Sequence, residues 1–274
     1  MQQEQDIYFH LGYPKVASTF LQKEIFPNLT GIKFHKKHRF NRYKQLDPDN
    51  LSKTHMFSSE KDYNIEETAG DILEKFPYAK IILILRRHDQ WILSKYKYYI
   101  RKHGDKEFHE FFDMKDNTGI WRREDLFYRK QIDYLEKHTN NPPLILTLDL
   151  LQNDSELFFK KIEEYTGSKL DDKANTDSVI NRAFSKKQLL VLKKFNRFYP
   201  YQKLKTPYRI INRSHYRYRQ YILHTVAFFS QLVPWALIKK RQLVDPFQLE
   251  EIRGYYKNDW DYCVDYVRKK NRLQ

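Results

Sequence analysis

Residues 7–27 constrain the fold more than any other stretch of this chain. They open with IYFHL, in which apolar residues alternate as they do in a strand. Gly12 and Pro14 interrupt this pattern, and a helix is predicted to begin at Ser18 and to end at the proline that closes the stretch. A turn between a strand and a helix N-terminus binds phosphate, because the first helical N–H groups have no partner and the helix dipole is positive there. The sequence therefore predicts an anion-binding loop, to which Lys15 adds a full positive charge.

The predicted loop does not follow the pattern of nucleotide triphosphatases. The Walker motif G-x-x-x-x-G-K-[ST], laid on Gly12, would require glycine at Ala17 and lysine at Ser18. The lysine instead comes three residues earlier, and the pattern G-x-P-K-x-[AG]-[ST]-T-x-L-Q resembles the 5′-phosphosulfate loop of sulfotransferases that use 3′-phosphoadenosine-5′-phosphosulfate (PAPS). The residues that carry the resemblance are Gly12, Pro14, Lys15, Ala17, Ser18, Thr19, Leu21 and Gln22, and the cofactor-binding loop that it implies also includes Val16 and Phe20.

A second anion-binding motif follows the clearest strand of the sequence, KIILIL at residues 80–85, which is continuously apolar like a strand covered on both faces of a parallel sheet. Arg86 ends this strand, and Ser94 follows inside a predicted helix. Ligands of open α/β sheets lie beyond the carboxyl ends of the strands, where the planar guanidinium of Arg86 can grip an anion. The spacing resembles the 3′-phosphate site of sulfotransferases. That family usually has Asn-Pro after the arginine where this chain has Arg87-His88, and the spacing to Ser94 favours Arg86 over Arg87.

Strands and helices alternate along the chain, which predicts an α/β fold with a P-loop-like parallel sheet flanked by helices. The resemblance to sulfotransferases implies an α/β core with the PAPS site over residues 1–200, and residues 201–274 are predicted to form a helical extension packed on that core. Residues 181–196 resemble a segment of bacterial carbohydrate sulfotransferases, and this resemblance indicates the bacterial carbohydrate branch of the family. Within this segment, Arg182 and Ser185 are further candidates for contacts with the nucleotide or the substrate.

Sulfuryl transfer from PAPS requires a base for the acceptor proton and positive charge on the leaving phosphate. Lys15 is suited to placing positive charge on the leaving phosphate. Glu60 is our candidate base, because S-S-E-K-D-Y resembles the E-K-x-x-x-Y stretch of heparan-type sulfotransferases, with Lys61 balancing the carboxylate. Cytosolic small-molecule sulfotransferases use a histidine instead, so His55 is the main rival base, ahead of a further set formed by His10, His35 and His38. No cluster of metal ligands stands out, and we predict no metal.

The chain carries a large excess of positive charge: its 50 Lys and Arg residues exceed its 35 Asp and Glu residues, which gives a net charge of +15. Such a balance favours anionic partners. We expect a carbohydrate acceptor, in a glycan or glycolipid, and no nucleic acid. The basic run HKKHRFNRYKQLDPDN is predicted to be a solvated loop, with contact to an acidic substrate as the alternative. Two other functions stay open. The first is a kinase-like phosphoryl transferase, against which the displaced lysine argues. The second is a nucleic-acid-binding module that uses the basic, aromatic residues 208–221, although no known nucleic-acid-binding motif occurs there.

The N-terminal residues MQQEQD lack the features of a signal peptide, and no run of 18 apolar residues occurs, so we predict a cytoplasmic protein. Its most apolar stretch, residues 221–238, is flanked by basic residues and is predicted to form helices that pack on the core, with peripheral contact to an anionic membrane through residues 217–241 as the alternative. The flanking cations are Arg217, Arg219, Lys239, Lys240 and Arg241. The sequence gives no indication of the oligomeric state.

Overall fold

The computed structural model of the chain describes residues 6–60, 65–176, 184–238 and 242–272. Its strands form one parallel sheet in the order β2-β3-β1-β4-β5. They are β1 (Ile7–Gly12), β2 (Ile32–His35), β3 (Thr54–Glu60), β4 (Lys80–Leu85) and β5 (Leu144–Thr147). The predicted α/β fold with a parallel sheet is therefore confirmed, and β1 lies at its centre.

Helices follow the strands and flank the sheet, as predicted. They are α1 (Ser18–Phe20), α2 (Ile65–Lys75), α3 (His88–Arg101), α4 (Phe108–Phe111), α5 (Arg129–His138), α6 (Leu148–Asn153), α7 (Ser155–Thr166), α8 (Lys186–Phe198), α9 (Arg209–Phe229), α10 (Pro246–Tyr255) and α11 (Lys257–Arg272). Helix α1 continues as a π-helix at Leu21–Ile25 and a 3-10 helix at Phe26–Asn28. The basic run predicted to be a loop contains a 3-10 helix at Lys37–Gln45, because Phe40 and Tyr43 point into the core.

The chain divides into two compact units that are each assembled from separate stretches of sequence. The first comprises Met1–His88, Asp125–Ile180 and Tyr255–Gln274 and contains the whole sheet. The second comprises Asp89–Glu124 and Asn181–Gly254. These ranges differ from the predicted division at residue 200, since the last helix, α11, belongs to the unit that holds the sheet.

Aromatic packing holds the central strand of the first unit. The Phe9 ring contacts the rings of four other aromatic residues, with centroid distances from 5.3 to 6.4 Å: Phe40, Tyr43, Phe57 and Phe76. On the opposite face of β1, the His10 ring packs on Phe26 at 5.1 Å. Large aromatic side chains bury much apolar area, so this packing holds β1 in place at the centre of the sheet. The loop that follows β1 therefore starts from a rigid support.

Helix α11 contributes one buried carboxylate to the packing of the unit that holds the sheet. Asp259 accepts hydrogen bonds from the backbone N–H groups of Tyr128 and Arg129 at the start of α5, at 2.9 and 3.1 Å. Its carboxylate also pairs with His88 at 3.0 Å, where both side chains are almost completely buried. A carboxylate at a helix N-terminus satisfies otherwise unpaired backbone donors. Through its pair with His88, Asp259 fixes the chain just beyond Arg86. His88 occupies the position at which the sulfotransferase motif has proline.

The second unit is held together by polar groups as well as by apolar packing. The buried side chain of Asn196 on α8 donates to the carbonyl groups of Ile100 and Gly104, each at 2.9 Å. The ammonium group of Lys193, also on α8, pairs with Glu107 at 2.6 Å. Because a buried donor without a partner is costly, these bonds fix how α8 packs against the segment that follows α3.

Candidate active site

The loop between β1 and α1 has an unusual backbone. Lys15 has a φ of 73° and Ala17 a φ of 64°, both in the left-handed region that residues other than glycine rarely adopt. Such conformations persist only where the surroundings enforce them, and they are concentrated at binding sites. Turns of this kind let successive backbone N–H groups converge on one anion. This backbone is compatible with the anion-binding loop that the sequence predicts, and the binding itself stays a prediction.

The two ends of the loop are closely packed. A Cβ atom on Gly12 would come within 2.9 Å of the His10 ring nitrogen Nε2, which explains why glycine ends β1. The Ser18 hydroxyl donates to the carbonyl oxygen of Tyr13 at 3.3 Å and closes the loop. Helical hydrogen bonding begins with the Leu21 N–H donating to the carbonyl of Ala17, whose side chain cannot cap the helix. The N–H groups of the first helical turn are thus suited to an anionic ligand.

Arg86 lies directly against this loop. Its guanidinium Nη1 donates to the carbonyl oxygen of Lys15 at 3.2 Å. The Arg86 carbonyl accepts a hydrogen bond from the Tyr128 hydroxyl at 2.8 Å, and the Tyr128 ring packs edge-on against Tyr13 of the loop at 4.9 Å. The two anion-binding segments predicted from sequence therefore meet at the carboxyl edge of β1 and β4. Ser94 lies in the second turn of α3, within the second unit, so its pairing with Arg86 stays a prediction.

Glu60 lies beside the same loop. It is the last residue of β3, and the sheet register places it opposite Gly12. Neighbouring strands are about 4.8 Å apart, so the Glu60 side chain starts next to the loop. Its carboxylate pairs with the Lys37 ammonium at 2.5 Å. Lys37 was not singled out from the sequence; the only signal was its place in the basic run after β2.

The structure corrects the sequence-based choice of His55 as the main rival base. His55 lies near the start of β3, where the register pairs it with Ile7, and five residues of strand separate it from Glu60 by about 16 Å. Its Nδ1 contacts Nε2 of His35 at 2.8 Å, and both rings are buried. Burial lowers the pKa of both histidines, that of His35 to about 4. Closeness in sequence was misleading here, because a strand is the most extended form of the chain.

A buried network of polar side chains lies next to the loop, at the end of β1. The sequence did not predict this network; it predicted only that His10 is packed inside its strand. The Ser58 hydroxyl contacts His10 Nδ1 at 2.8 Å and accepts a hydrogen bond from the Gln22 side-chain amide at 2.9 Å. Because Gln22 donates to Ser58, the hydroxyl proton of Ser58 is available to Nδ1, and Nε2 of the neutral His10 ring carries its proton. Nε2 lies at Gly12 and has no hydrogen-bond partner among the described residues. Gln22 matches the last position of the loop motif, so its presence there has a structural reason.

The buried His10 ring makes the stability of the protein depend on pH. Complete burial lowers the pKa of His10 from 6.5 to about 4. Between these values the unfolded chain binds a proton that the folded chain does not, so acidification from pH 6.5 to 4 favours unfolding. We expect His10→Asn to reduce the loss of unfolding free energy between pH 7 and 4.5, measured by urea denaturation, by about 2–3 kcal/mol. His109→Asn, at an exposed position, is the control and should leave the loss unchanged. Equal losses in wild type and His10→Asn would contradict the prediction.

The fold is similar to that of known sulfotransferases. A sulfotransferase from Alicyclobacillus acidocaldarius matches with a TM-score of 0.52 and 14% sequence identity, over 70% of this chain and 92% of that one. Mouse sulfotransferase SULT7A1, solved in complex with PAP, matches with a TM-score of 0.46 and 18% identity, over 66% of this chain and 69% of that one. No protein-family model matches the chain, and no curated protein sequence matches it significantly. Of these two similarities, only the one to the Alicyclobacillus acidocaldarius structure is close enough to support an argument, and at 14% identity it shows a shared fold and nothing more. That fold is the one that the sequence resemblance implied.

Proposed function

We propose that this protein is a sulfotransferase that moves the sulfuryl group from PAPS to a hydroxyl, or an amine, of a carbohydrate acceptor. The observation that carries the proposal is the contact between the Arg86 guanidinium and the Lys15 carbonyl. Two anion-binding segments thereby adjoin each other on a sheet with the sulfotransferase fold. PAPS presents one anionic group at each end of a single adenosine, and this arrangement suits such a molecule better than one with a single phosphate cluster.

Each segment has its own role in binding. The left-handed turn and the start of α1 offer backbone N–H groups and the Lys15 charge to the 5′-phosphosulfate. The guanidinium of Arg86 serves the 3′-phosphate, with Ser94 as its predicted partner. The His10, Ser58 and Gln22 network, by holding the end of β1, keeps the loop in place before the substrate binds.

The chemistry follows from the charges around the loop. Glu60 takes the proton of the acceptor hydroxyl, whose oxygen then forms a bond to sulfur. The bond between sulfur and the bridging oxygen breaks, and its electron pair stays on the 5′-phosphate of the departing 3′,5′-adenosine bisphosphate (PAP). Lys15 stabilises the negative charge that develops on that oxygen. Lys37 orients the Glu60 carboxylate beside Gly12 through its ion pair.

Two features support a carbohydrate acceptor. A carboxylate stands at the end of β3, as in the heparan-type motif that the stretch around Glu60 resembles. The net charge of +15 suits an acceptor that is part of an acidic glycan or glycolipid. Lys61 and Arg182, two further candidates for substrate contacts, lie outside the described residues.

Thermal melting with PAP tests the proposal. PAP at about one hundred times its dissociation constant should stabilise the folded protein by about 2.7 kcal/mol, a rise in melting temperature of about 5 °C. Arg86→Ala should abolish this rise, because the 3′-phosphate loses its partner, and Arg86→Lys should restore part of it. The matched control is Lys257→Ala, which removes one exposed cation of α11 and should leave the rise unchanged.

The same experiment separates the proposal from its alternatives. A rise with ATP and magnesium but not with PAP would favour a phosphoryl transferase, since a carboxylate beside the loop is also where such enzymes hold magnesium. The Lys37 ammonium stands against that alternative, because it occupies the side of Glu60 that a cation would take. In the described part of the chain, no three His, Cys, Asp or Glu side chains gather where they could hold a metal ion. A rise with single-stranded DNA alone would favour a nucleic-acid-binding module.

A further inference from the structure

Helix α9 exposes its largest apolar side chains instead of burying them. Ile210 is 80% exposed, Tyr221 71% and Phe228 67%, whereas the side of α9 that packs against its own unit carries Leu223 and Ala227. The exposed set continues past the helix. Together these residues form what we call the exposed apolar face: Ile210, Ile211, Tyr218, Tyr221, Phe228, Phe229, Leu232, Trp235 and Leu237. Single exposed apolar residues are normal, but a contiguous set of this size marks an interaction surface.

The spacing of these residues places them in one stripe. Ile211 and Tyr218 are seven residues apart, as are Tyr221 and Phe228, and residues two helical turns apart lie on the same side of a helix. At a rise of 1.5 Å per residue, the stripe from Ile210 to Phe229 is about 28 Å long. Its length matches an elongated, flat partner rather than a small molecule.

A row of positive charge runs beside the apolar stripe. Arg209, Arg213 and Arg217 are all exposed and are spaced four residues apart, so they line one side of α9. No Asp or Glu occurs anywhere between Asp177 and Asp245, which leaves these charges without an acidic neighbour along that stretch of sequence. Arg219, which the sequence analysis counted with the membrane-facing cations, is buried and bonds to the Tyr199 carbonyl instead. The surface therefore combines exposed aliphatic and aromatic side chains with uncompensated positive charge.

We propose that α9 and the turns that follow it, up to Leu237, lie in the interface of an anionic lipid membrane. The exposed apolar face enters the boundary between headgroups and acyl chains, and the arginine row contacts lipid phosphates. Tyr and Trp side chains suit this boundary, because one end of each is apolar and the other polar. No helix in the described ranges, α9 included, is long and apolar enough to cross a membrane. The exposed aliphatic residues favour lipid over a nucleic acid or a glycan, because neither of those covers isoleucine and leucine side chains with apolar surface.

Sedimentation with lipid vesicles tests this membrane surface. We expect the full chain to bind vesicles of equimolar phosphatidylcholine and phosphatidylglycerol, and to bind pure phosphatidylcholine at least about tenfold more weakly. Phe228→Ser with Phe229→Ser should lower binding to the anionic vesicles by about tenfold or more. The control for lost apolar surface is Tyr78→Ser, at a position that is 74% exposed in the first unit.

Charge reversal tests the arginine row separately. Arg213→Glu with Arg217→Glu should abolish the preference for anionic vesicles, whereas Lys257→Glu with Arg268→Glu, a matched reversal on exposed positions of α11, should keep it. All four substituted proteins should melt like the wild type and respond normally to PAP, so a failure here is distinct from a failure of the proposed function.

Fluorescence reports insertion directly. Trp235 is 43% exposed, more than any other tryptophan of the chain, so its emission should shift to shorter wavelength when anionic vesicles are added. Trp235→Phe should remove most of that shift. Absence of vesicle binding, or equal binding to neutral and anionic vesicles, would overturn the proposal. So would a dimer of the wild type that Phe228→Ser with Phe229→Ser dissociates, since a second copy would then cover this face.

Discussion

Replacing Glu60 by glutamine is expected to lower sulfuryl transfer by about 10²–10⁴-fold while leaving PAP binding intact. The amide has nearly the same shape as the carboxylate but cannot take the proton of the acceptor. Glu60 lies opposite Gly12 in the sheet and not within the loop, so its charge is not needed to hold the nucleotide. The rate of transfer and the binding of PAP should therefore separate in this variant.

Two measurements on the same preparations test this separation. Transfer is followed with radiolabelled PAPS and a glycan extract of the source organism, and binding with the PAP-induced rise in melting temperature. Glu74→Gln removes an exposed carboxylate of α2 and is the control. Lys37→Ala should cost less than Glu60→Gln, because Lys37 only positions the base. Full transfer activity in Glu60→Gln would make Glu60 a bystander, and loss of the PAP response would assign it to binding instead.

Replacing Lys15 by alanine is expected to lower kcat by about 10²–10³-fold, with a smaller increase in the KM for PAPS. Negative charge on the bridging oxygen grows as its bond to sulfur breaks, so the Lys15 ammonium contributes more in the transition state than in the ground state. The kcat effect therefore measures the stabilisation of the leaving phosphate, and the KM effect measures ordinary attraction to the anion.

The backbone of Lys15 calls for additional variants. Its φ of 73° is unfavourable for alanine as well as for lysine, so Lys15→Ala keeps the backbone strain while it removes the side chain and its charge. Lys15→Gly relieves the strain, and a slower reaction in both variants would assign the effect to the charge. Lys15→Arg should recover part of the rate, and Lys257→Ala is the control for loss of one cation. A change in KM with kcat unaltered would mean that Lys15 binds both states equally and has no special role in transfer.

Local sequence patterns predicted the loop, the strands and Arg86 because the physical reasons for these elements lie within a few residues of each other. Alternation in IYFHL, the breaks at Gly12 and Pro14 and the continuous apolar run before Arg86 can all be read without knowledge of the partners in space. The place of the predicted site then follows from the parallel α/β pattern, whose ligands lie at the carboxyl edge of the sheet.

Contacts that depend on sheet register could not be predicted in the same way. The Lys37–Glu60 pair joins a residue just after β2 to the last residue of the neighbouring strand β3, and the His10, Ser58 and Gln22 network joins two strands and a helix. Likewise, His55 stood close to Glu60 in sequence but lies near the other end of the same strand. Within the second unit, Asn196 bonds to the carbonyl groups of Ile100 and Gly104, which are far away in the chain.

By itself the sequence determined the turn after β1, the place of Arg86 after β4 and the parallel sheet that carries them, because hydrophobic periodicity and turn chemistry act over short distances. Only the tertiary structure decided that Arg86 contacts the Lys15 carbonyl, that Glu60 stands opposite Gly12, and that α9 turns its apolar residues outward. These features depend on which segments pack together, and packing is settled by the burial of the whole chain rather than by any one stretch of it.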